Sequence, residues 1–174
     1  SRLAQYDTLT GLPNRSLFMD RLATAGLRAG RARRALAVLF LDLDGFKAIN
    51  DDFGHKEGDA VLVETAYRLS QAVRKSDTVA RLGGDEFTIV LEQLSEPLAD
   101  VQSVAEKIIQ AMRAPFMVQG QARHVTVSVG AAVRLDDQPT LTTTALLNRA
   151  DAAMYEAKRA GKNAFRISVI AEAS

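Results

Sequence analysis

Three acidic residues stand where their chemistry would be costly. Asp42 lies at the carboxyl end of the most apolar run in the chain, residues 35–43, and Asp85 and Glu86 follow a glycine pair, Gly83–Gly84. A carboxylate beside a core strand is unfavourable unless something positive pairs with it. Two or three converging carboxylates repel one another, and a divalent cation relieves that repulsion. Mg2+ takes oxygen ligands and commonly uses one or two carboxylates together with substrate phosphates, the logic of two-metal phosphoryl-transfer centres. Each element also has a plainer account. Asp42 and Asp44 could open a turn, as Asp–Gly steps such as Asp44–Gly45 commonly do. Gly83–Gly84–Asp85 could be an exposed hairpin with its charges in water. Residue types and spacing reach a candidate metal-dependent phosphoryl-transfer site and leave the surface-turn alternative open.

The elements that must position these groups are legible in outline. The near-continuous apolar run 35–43 suits a central strand buried on both faces. Residues 78–82 and 87–91 form two short strands around Gly83–Gly84, a hairpin signal because the favoured turns need positive φ. Asn14 caps a helix to about Arg28, with Leu17, Phe18, Leu22 and Ala25 along one face. A second helix follows Gly54 and Gly58, striped by Leu62, Ala66, Leu69 and Val73. Pro97 starts a third, whose core face is Val101, Val104, Ala105, Ile108 and Met112, and a fourth runs from about Thr142 to Arg159 and stops at Gly161. Residues 116–118 and 123–133 read as another hairpin turning near Gly120, and 165–169 as a closing strand. The expected class is mixed α/β (α+β), with hairpins supplying antiparallel pairs.

Composition bounds the rest. At 174 residues the chain fits one domain, expected over 1–174, and 47% hydrophobic content supplies its core. A globule of this size buries about 70% of the surface its unfolded chain exposes. With Cys 0 there are no disulfides and no thiolate metal sites. Lys+Arg 22 against Asp+Glu 21 gives net charge +1, which makes no global case for nucleic acid or membrane binding. With aromatics at 6% and Trp 0, a stacking platform for single-stranded nucleic acid is not expected. The one dense basic cluster, Arg28, Arg31, Arg33 and Arg34, reads as a solvated helix end and loop. No apolar run approaches the roughly 20 residues of a membrane-spanning helix, and a cytoplasmic setting is expected, with any membrane attachment lying outside this segment.

The run Arg81-Leu-Gly-Gly-Asp-Glu-Phe87 resembles the signature of the GGDEF family, the diguanylate cyclases. Four further blocks occur in order. These are Asp7-Thr-Leu-Thr-Gly-Leu-Pro-Asn-Arg15, Asp42-Leu-Asp-Gly-Phe-Lys-Ala-Ile-Asn-Asp51 with Gly54–His55 and Gly58–Asp59, Ser128-Val-Gly130, and Ala150-Asp-Ala-Ala-Met-Tyr-Glu-Ala-Lys158 with Gly161-Lys-Asn163. The resemblance implies a nucleotide-cyclase or polymerase-palm-like fold, a mostly antiparallel central sheet wrapped by helices. It implies that two GTP are joined into cyclic di-GMP with release of two pyrophosphates, using Mg2+ or Mn2+, two ions per site. Asp42, Asp85 and the Leu43 carbonyl become metal ligands, and Glu86 assists the metal or the attacking 3′-hydroxyl. Asn50 and Asp59 become guanine-binding, a carboxylate accepting from guanine leaving adenine unmatched. His55 either orients the loop or touches substrate. Phosphates would meet amides near Gly45, Phe46 and Lys47, with the side chains of Lys47, Lys158 and Lys162. Gly83 and Gly84 leave room for ribose and triphosphate.

Two positions depart from the family pattern: Lys162, where Arg is frequent, and Gly45, where a larger polar residue is common. A point-charge Lys in place of a two-donor Arg implies weaker triphosphate affinity. Arg74-Lys-Ser-Asp77 matches the spacing of the family's inhibitory RxxD site, where cyclic di-GMP would bind. One such site holds one GTP while the product needs two, so a homodimer is expected, as is an origin in a longer signalling protein. The alternative function is a non-catalytic GTP or cyclic di-GMP receptor regulating a tethered partner domain.

Overall fold

Apolar residues occupy every position from Leu36 to Leu41, and this run forms β1 (Leu36–Asp44), the middle strand of a five-stranded sheet. The computed structural model describes residues 2–135 and 141–170, so the ends of the expected 1–174 domain lie outside the described residues. The other strands are β2 (Thr78–Gly83), β3 (Glu86–Leu91), β4 (Phe116–Val118), β5 (Gln121–Arg123), β6 (Thr126–Arg134) and β7 (Ala164–Ile170). The helices are α1 (Arg2–Gln5), α2 (Arg15–Ala32), α3 (Phe46–Phe53), α4 (His55–Ala72), α5 (Pro97–Arg113) and α6 (Thr143–Arg159).

Sheet order is β2-β3-β1-β6-β7, antiparallel except for the parallel β6–β7 pair. The expected mixed, mostly antiparallel sheet is what forms. Alternation along β1 sends Ala37, Leu39 and Leu41 into one core layer with α4 and α5. Leu36, Val38 and Phe40 enter a second layer with α2 and α6. Asp42 and Asp44 continue that second phase, so both emerge on the α2/α6 face at the strand's carboxyl end. Gly130 brings α6 onto the sheet: a Cβ there would lie 2.0 Å from Met154 N and 2.1 Å from Ala150 O. The helix therefore touches β6 backbone to backbone, and its last turn reaches the end of β1.

Three expectations change. Residues 116–118 do pair across Gly120, but with β5 in a separate two-stranded sheet, not with a strand over 123–133. Thr126–Arg134 instead lies between β1 and β7, where its apolar residues are buried on both faces. The sequence reading also lacked α3. Gly45 makes the expected turn at φ 78, and a short helix starts immediately after it, burying Phe46 and Ile49. In the basic cluster, α2 runs on to Ala32 and Arg33 caps it at φ 52. Arg28 is not merely solvated: it forks onto Glu92 at 3.0–3.2 Å.

Candidate active site

Strand register assembles the carboxylates. Asp42 on β1 lies directly opposite Glu86 on β3 and Ser128 on β6, which puts all three side chains on one face. The Leu43 N–H donates to the Asp85 carbonyl at 3.4 Å, holding the Gly83–Glu86 turn against the end of β1. Gly83 (φ 146) and Gly84 (φ 49) make that turn, and no heavy atom stands within 4 Å of where either Cβ would be. The backbone is open to an approaching ligand there. Arg81 braces the turn from behind. Its Nε donates to Gly84 O at 2.9 Å, and its Nη1 pairs with Asp7 at 3.0 Å. Asp7 also accepts from the Thr10 N–H and hydroxyl. Those bonds and Arg81 outweigh the upward pull of burial and hold its carboxyl below the usual range. The opening motif thus serves to anchor the glycine turn.

Asp42 is the unusual group. Its Oδ1 is buried without a donor, and its Oδ2 lies 3.4 Å from Lys158 Nζ. Burial first and the neighbouring Asp85 second push its carboxyl up to about 7, against the pull of Lys158. Burial, Asp151 and Asp85 raise Glu86 as well, opposed by Arg15. A face that concentrates acids at this cost suits a cation. Among the described residues no three His, Cys, Asp or Glu side chains form a metal cage. The set available is Asp42, Asp85 and the Leu43 carbonyl, and the unpartnered Asp42 Oδ1 fits it. Two carboxylates with substrate phosphates are a common Mg2+ arrangement.

Lys158, expected to meet phosphate, is held at the same place. Its ammonium donates to Leu43 O at 3.3 Å and to Asp44 Oδ1 at 3.1 Å. Asp44, read only as a turn residue, is 8% exposed and accepts from Ser128, Thr126, Lys158 and the Asn163 N–H. Burial alone would raise its carboxyl, but these four donors hold it lowered. Lys162 is exposed at φ 65, beyond the end of α6, so it does not share a helical face with Lys158.

The nucleobase candidates lie on the α3–α4 corner, where Gly54 links the two helices at φ 90. A Cβ on Gly58 would fall 1.8 Å from Asn50 Oδ1, so the missing side chain is what lets Asn50 lie against α4 beside Asp59. Asp59, Lys47 and His55 are exposed, and Phe46 is buried as the first residue of α3. Arg74 and Asp77 do meet, but inwardly. The Asp77 side chain is 2% exposed and accepts from the Arg74 and Glu92 N–H groups, while Arg74 also donates to the Glu92 carbonyl. Arg74 keeps 55% of its side chain in solvent. The larger clefts lie away from the carboxylates. One of about 570 Å3 is bordered by Glu106, Arg113, Asn163 and Arg166, and another of about 520 Å3 by Arg28, Arg31, Arg34 and Glu92. The acidic site is an open face.

Sequence reasoning missed Asp44, the Asp7–Arg81 brace and Asp151 beside Glu86. All four residues stand in quoted motifs, which was the available signal, but no spacing in the sequence says which of them meet.

Comparison with known proteins gives the same reading over nearly the whole chain. The family described as "Diguanylate cyclase, GGDEF domain" matches residues 4–164. The bifunctional diguanylate cyclase/cyclic di-GMP phosphodiesterase MucR of Pseudomonas aeruginosa is 46% identical over 94% of this chain and 23% of its own. Diguanylate cyclase TpbB of the same species is 44% identical over 95% of this chain and 38% of its own, so the chain spans well under half of these relatives. The solved GGDEF domain of TpbB superposes with TM-score 0.87 at 44% identity, covering 94% of each chain. The coiled coil and GGDEF domain of DgcB from Caulobacter crescentus, solved with c-di-GMP, gives 0.85 at 30% identity over 97% of this chain and 87% of that one. With the turn, the paired carboxylates and the sheet order alike in place, the chain belongs to the GGDEF family of diguanylate cyclase domains.

Proposed function

We propose that this domain condenses two GTP into cyclic di-GMP and two pyrophosphates. The observation that carries the reading is the buried, donorless Oδ1 of Asp42, facing a glycine turn open to a nucleotide and flanked by Asp85 and Glu86. Mg2+ or Mn2+, two ions per site, would be held by Asp42, Asp85 and the Leu43 carbonyl, and when bound supplies charge stabilisation at the α-phosphate and activation of the 3′-hydroxyl. The residues do the rest. Asn50, seated by Gly58, and Asp59 select guanine. The α3 amides at Phe46 and Lys47, together with Lys158 and Lys162, receive the triphosphate. Gly83 and Gly84 let the ribose lie on the turn, with His55 at the edge of the base site. Glu86, across the strand pair from Asp42, would assist the metal or the attacking 3′-hydroxyl.

Each 3′-hydroxyl oxygen forms a bond to the other GTP's α-phosphorus as the bond to pyrophosphate breaks. One face holds one GTP, so two copies must meet about a two-fold axis. Exposed Arg74 offers a fork to guanine or phosphate of the product, and the buried Asp77 fixes the loop that presents it. The domain would then belong to a longer signalling protein acting in the cytoplasm. No described helix is long and apolar enough to cross a membrane.

The test is incubation of the protein with GTP and Mg2+ at rising protein concentration. Product formation rising more steeply than linearly supports catalysis by paired copies. Tight product binding without turnover at any concentration would make the domain a receptor and end the cyclase reading.

A further inference from the structure

The acid two residues beyond Asp42 reads in sequence as the start of a turn, yet in this fold it is among the most heavily hydrogen-bonded side chains. Asp44 Oδ1 accepts from Ser128 Oγ at 2.7 Å and Lys158 Nζ at 3.1 Å, and Oδ2 from Thr126 Oγ1 at 2.7 Å and Asn163 N at 3.0 Å. Four donors use its full accepting capacity. They come from β6, from the last turn of α6 and from the left-handed turn that follows it, where Gly161, Lys162 and Asn163 have φ 125, 65 and 49. We propose that Asp44 is the positioning residue of the triphosphate site, fixing Lys158 and the Lys162–Asn163 turn beside the metal-binding face. This inference rests on the cyclase reading.

The geometry makes the role specific. Lys158 Nζ lies 3.4 Å from Asp42 Oδ2 and 3.3 Å from the Leu43 carbonyl, and Asp44 is its closest partner at 3.1 Å. Asp42 is shared with the metal in the proposed reaction, so the Lys158 ammonium must be able to leave it for phosphate. Asp44 is the anchor that stays, keeping the cation within reach of both. In Asp44→Asn the amide NH2 must replace one oxygen. At the Oδ1 position it faces the Lys158 ammonium, and at Oδ2 the Asn163 N–H, so one of the two is left without its acceptor in either rotamer. The hydroxyls of Ser128 and Thr126 can turn and accept instead.

The experiment combines steady-state kinetics on Asp44→Asn, Lys158→Met and the double variant with reductive methylation of Lys158 in the metal-free, nucleotide-free full chain. Asp44→Asn should raise KM for GTP by about tenfold or more, and the double variant should lose less than the product of the two single losses, the remainder acting through the Lys162–Asn163 turn. Lys158 should methylate faster in Asp44→Asn than in the wild type. A purely structural Asp44 would lower the folded fraction and apparent kcat while leaving KM alone. That result, multiplying losses in the double variant, or unchanged Lys158 labelling would each overturn the inference. Should Asp44→Asn not fold, Ser128→Ala removes one of the bonds that orient the Asp44 carboxylate while keeping its charge, and must raise KM for GTP. A wild type that makes no cyclic di-GMP refutes the cyclase reading separately, and the labelling still reports on the Asp44–Lys158 link.

Discussion

Replacing Asp85 by Asn removes the negative charge that Asp42 must face, and the consequence for stability has a definite sign. The Asp42 carboxyl titrates at about 7 in the folded chain against an ordinary 3.8. Folding therefore favours the protonated form. Stability from this group is fully present below about pH 4, is lost as pH rises through about 7, and stays lost above it. At about 1.4 kcal/mol per pH unit the full penalty has an upper bound of roughly 4 kcal/mol. Burial is the largest cause and Asp85 the next, so removing the Asp85 charge recovers only part of that bound, on the order of 1 kcal/mol for two like charges screened by solvent. In a domain of this size such a gain raises Tm by roughly 4 °C. Thermal unfolding in chelator near pH 8 should thus find Asp85→Asn more stable than the wild type, with the gap closing near pH 4. Added Mg2+ should reverse the order, stabilising the wild type by mass action and the variant little. A variant that melts at or below the wild type at pH 8 in chelator would refute the repulsion argument. Equal Mg2+ stabilisation of both proteins would refute Asp85 as a ligand.

Gly58→Ala puts a methyl 1.8 Å from Asn50 Oδ1, the mobile end of a side chain; circular dichroism should show a folded domain while GTP affinity and selectivity over ATP fall about tenfold, as for one lost base contact. Gly130→Ala meets α6 backbone instead, and denaturant unfolding should show a loss of about 3 kcal/mol or more. Arg81→Ala frees both Asp7 and the Gly84 carbonyl; turnover should drop by about tenfold or more through a misplaced turn, and full activity would refute the brace. Arg74→Ala should lift product inhibition in a progress curve with little change in Tm. Asp77→Ala, by leaving the Glu92 N–H without its acceptor, should cost about 1–3 kcal/mol of stability.

Local chemistry made much of this protein legible. A short apolar run closed by turn residues reads as a buried strand, a glycine pair between two strands is a turn, and Asn14 does cap α2 through Leu17 N. The eight residues of α3 were missed because Asn and Asp, as at Asn50, Asp51 and Asp52, favour turns and caps over helix interiors, although Phe46, Ile49 and Phe53 carry helical spacing. The break between β5 and β6 was missed because Val125, Val127 and Val129 alternate without interruption across it, and pairing partners, not alternation, decide where a strand changes sheet.

The sequence by itself determined which residues are present to do the chemistry, the carboxylates, the glycine turn and the lysines, because those signals lie within a few neighbours. Only the tertiary structure decided what holds them. Asp44 meets Ser128 across 84 positions and Asn163 across 119, and Arg81 meets Asp7 across 74. Asp42 becomes costly only when packing buries it and sets it within the field of Asp85. Hydrogen bonds and repulsions depend on distance in space, and no local spacing encodes a separation that the packing of α6 on Gly130 and of β3 on β1 has yet to close.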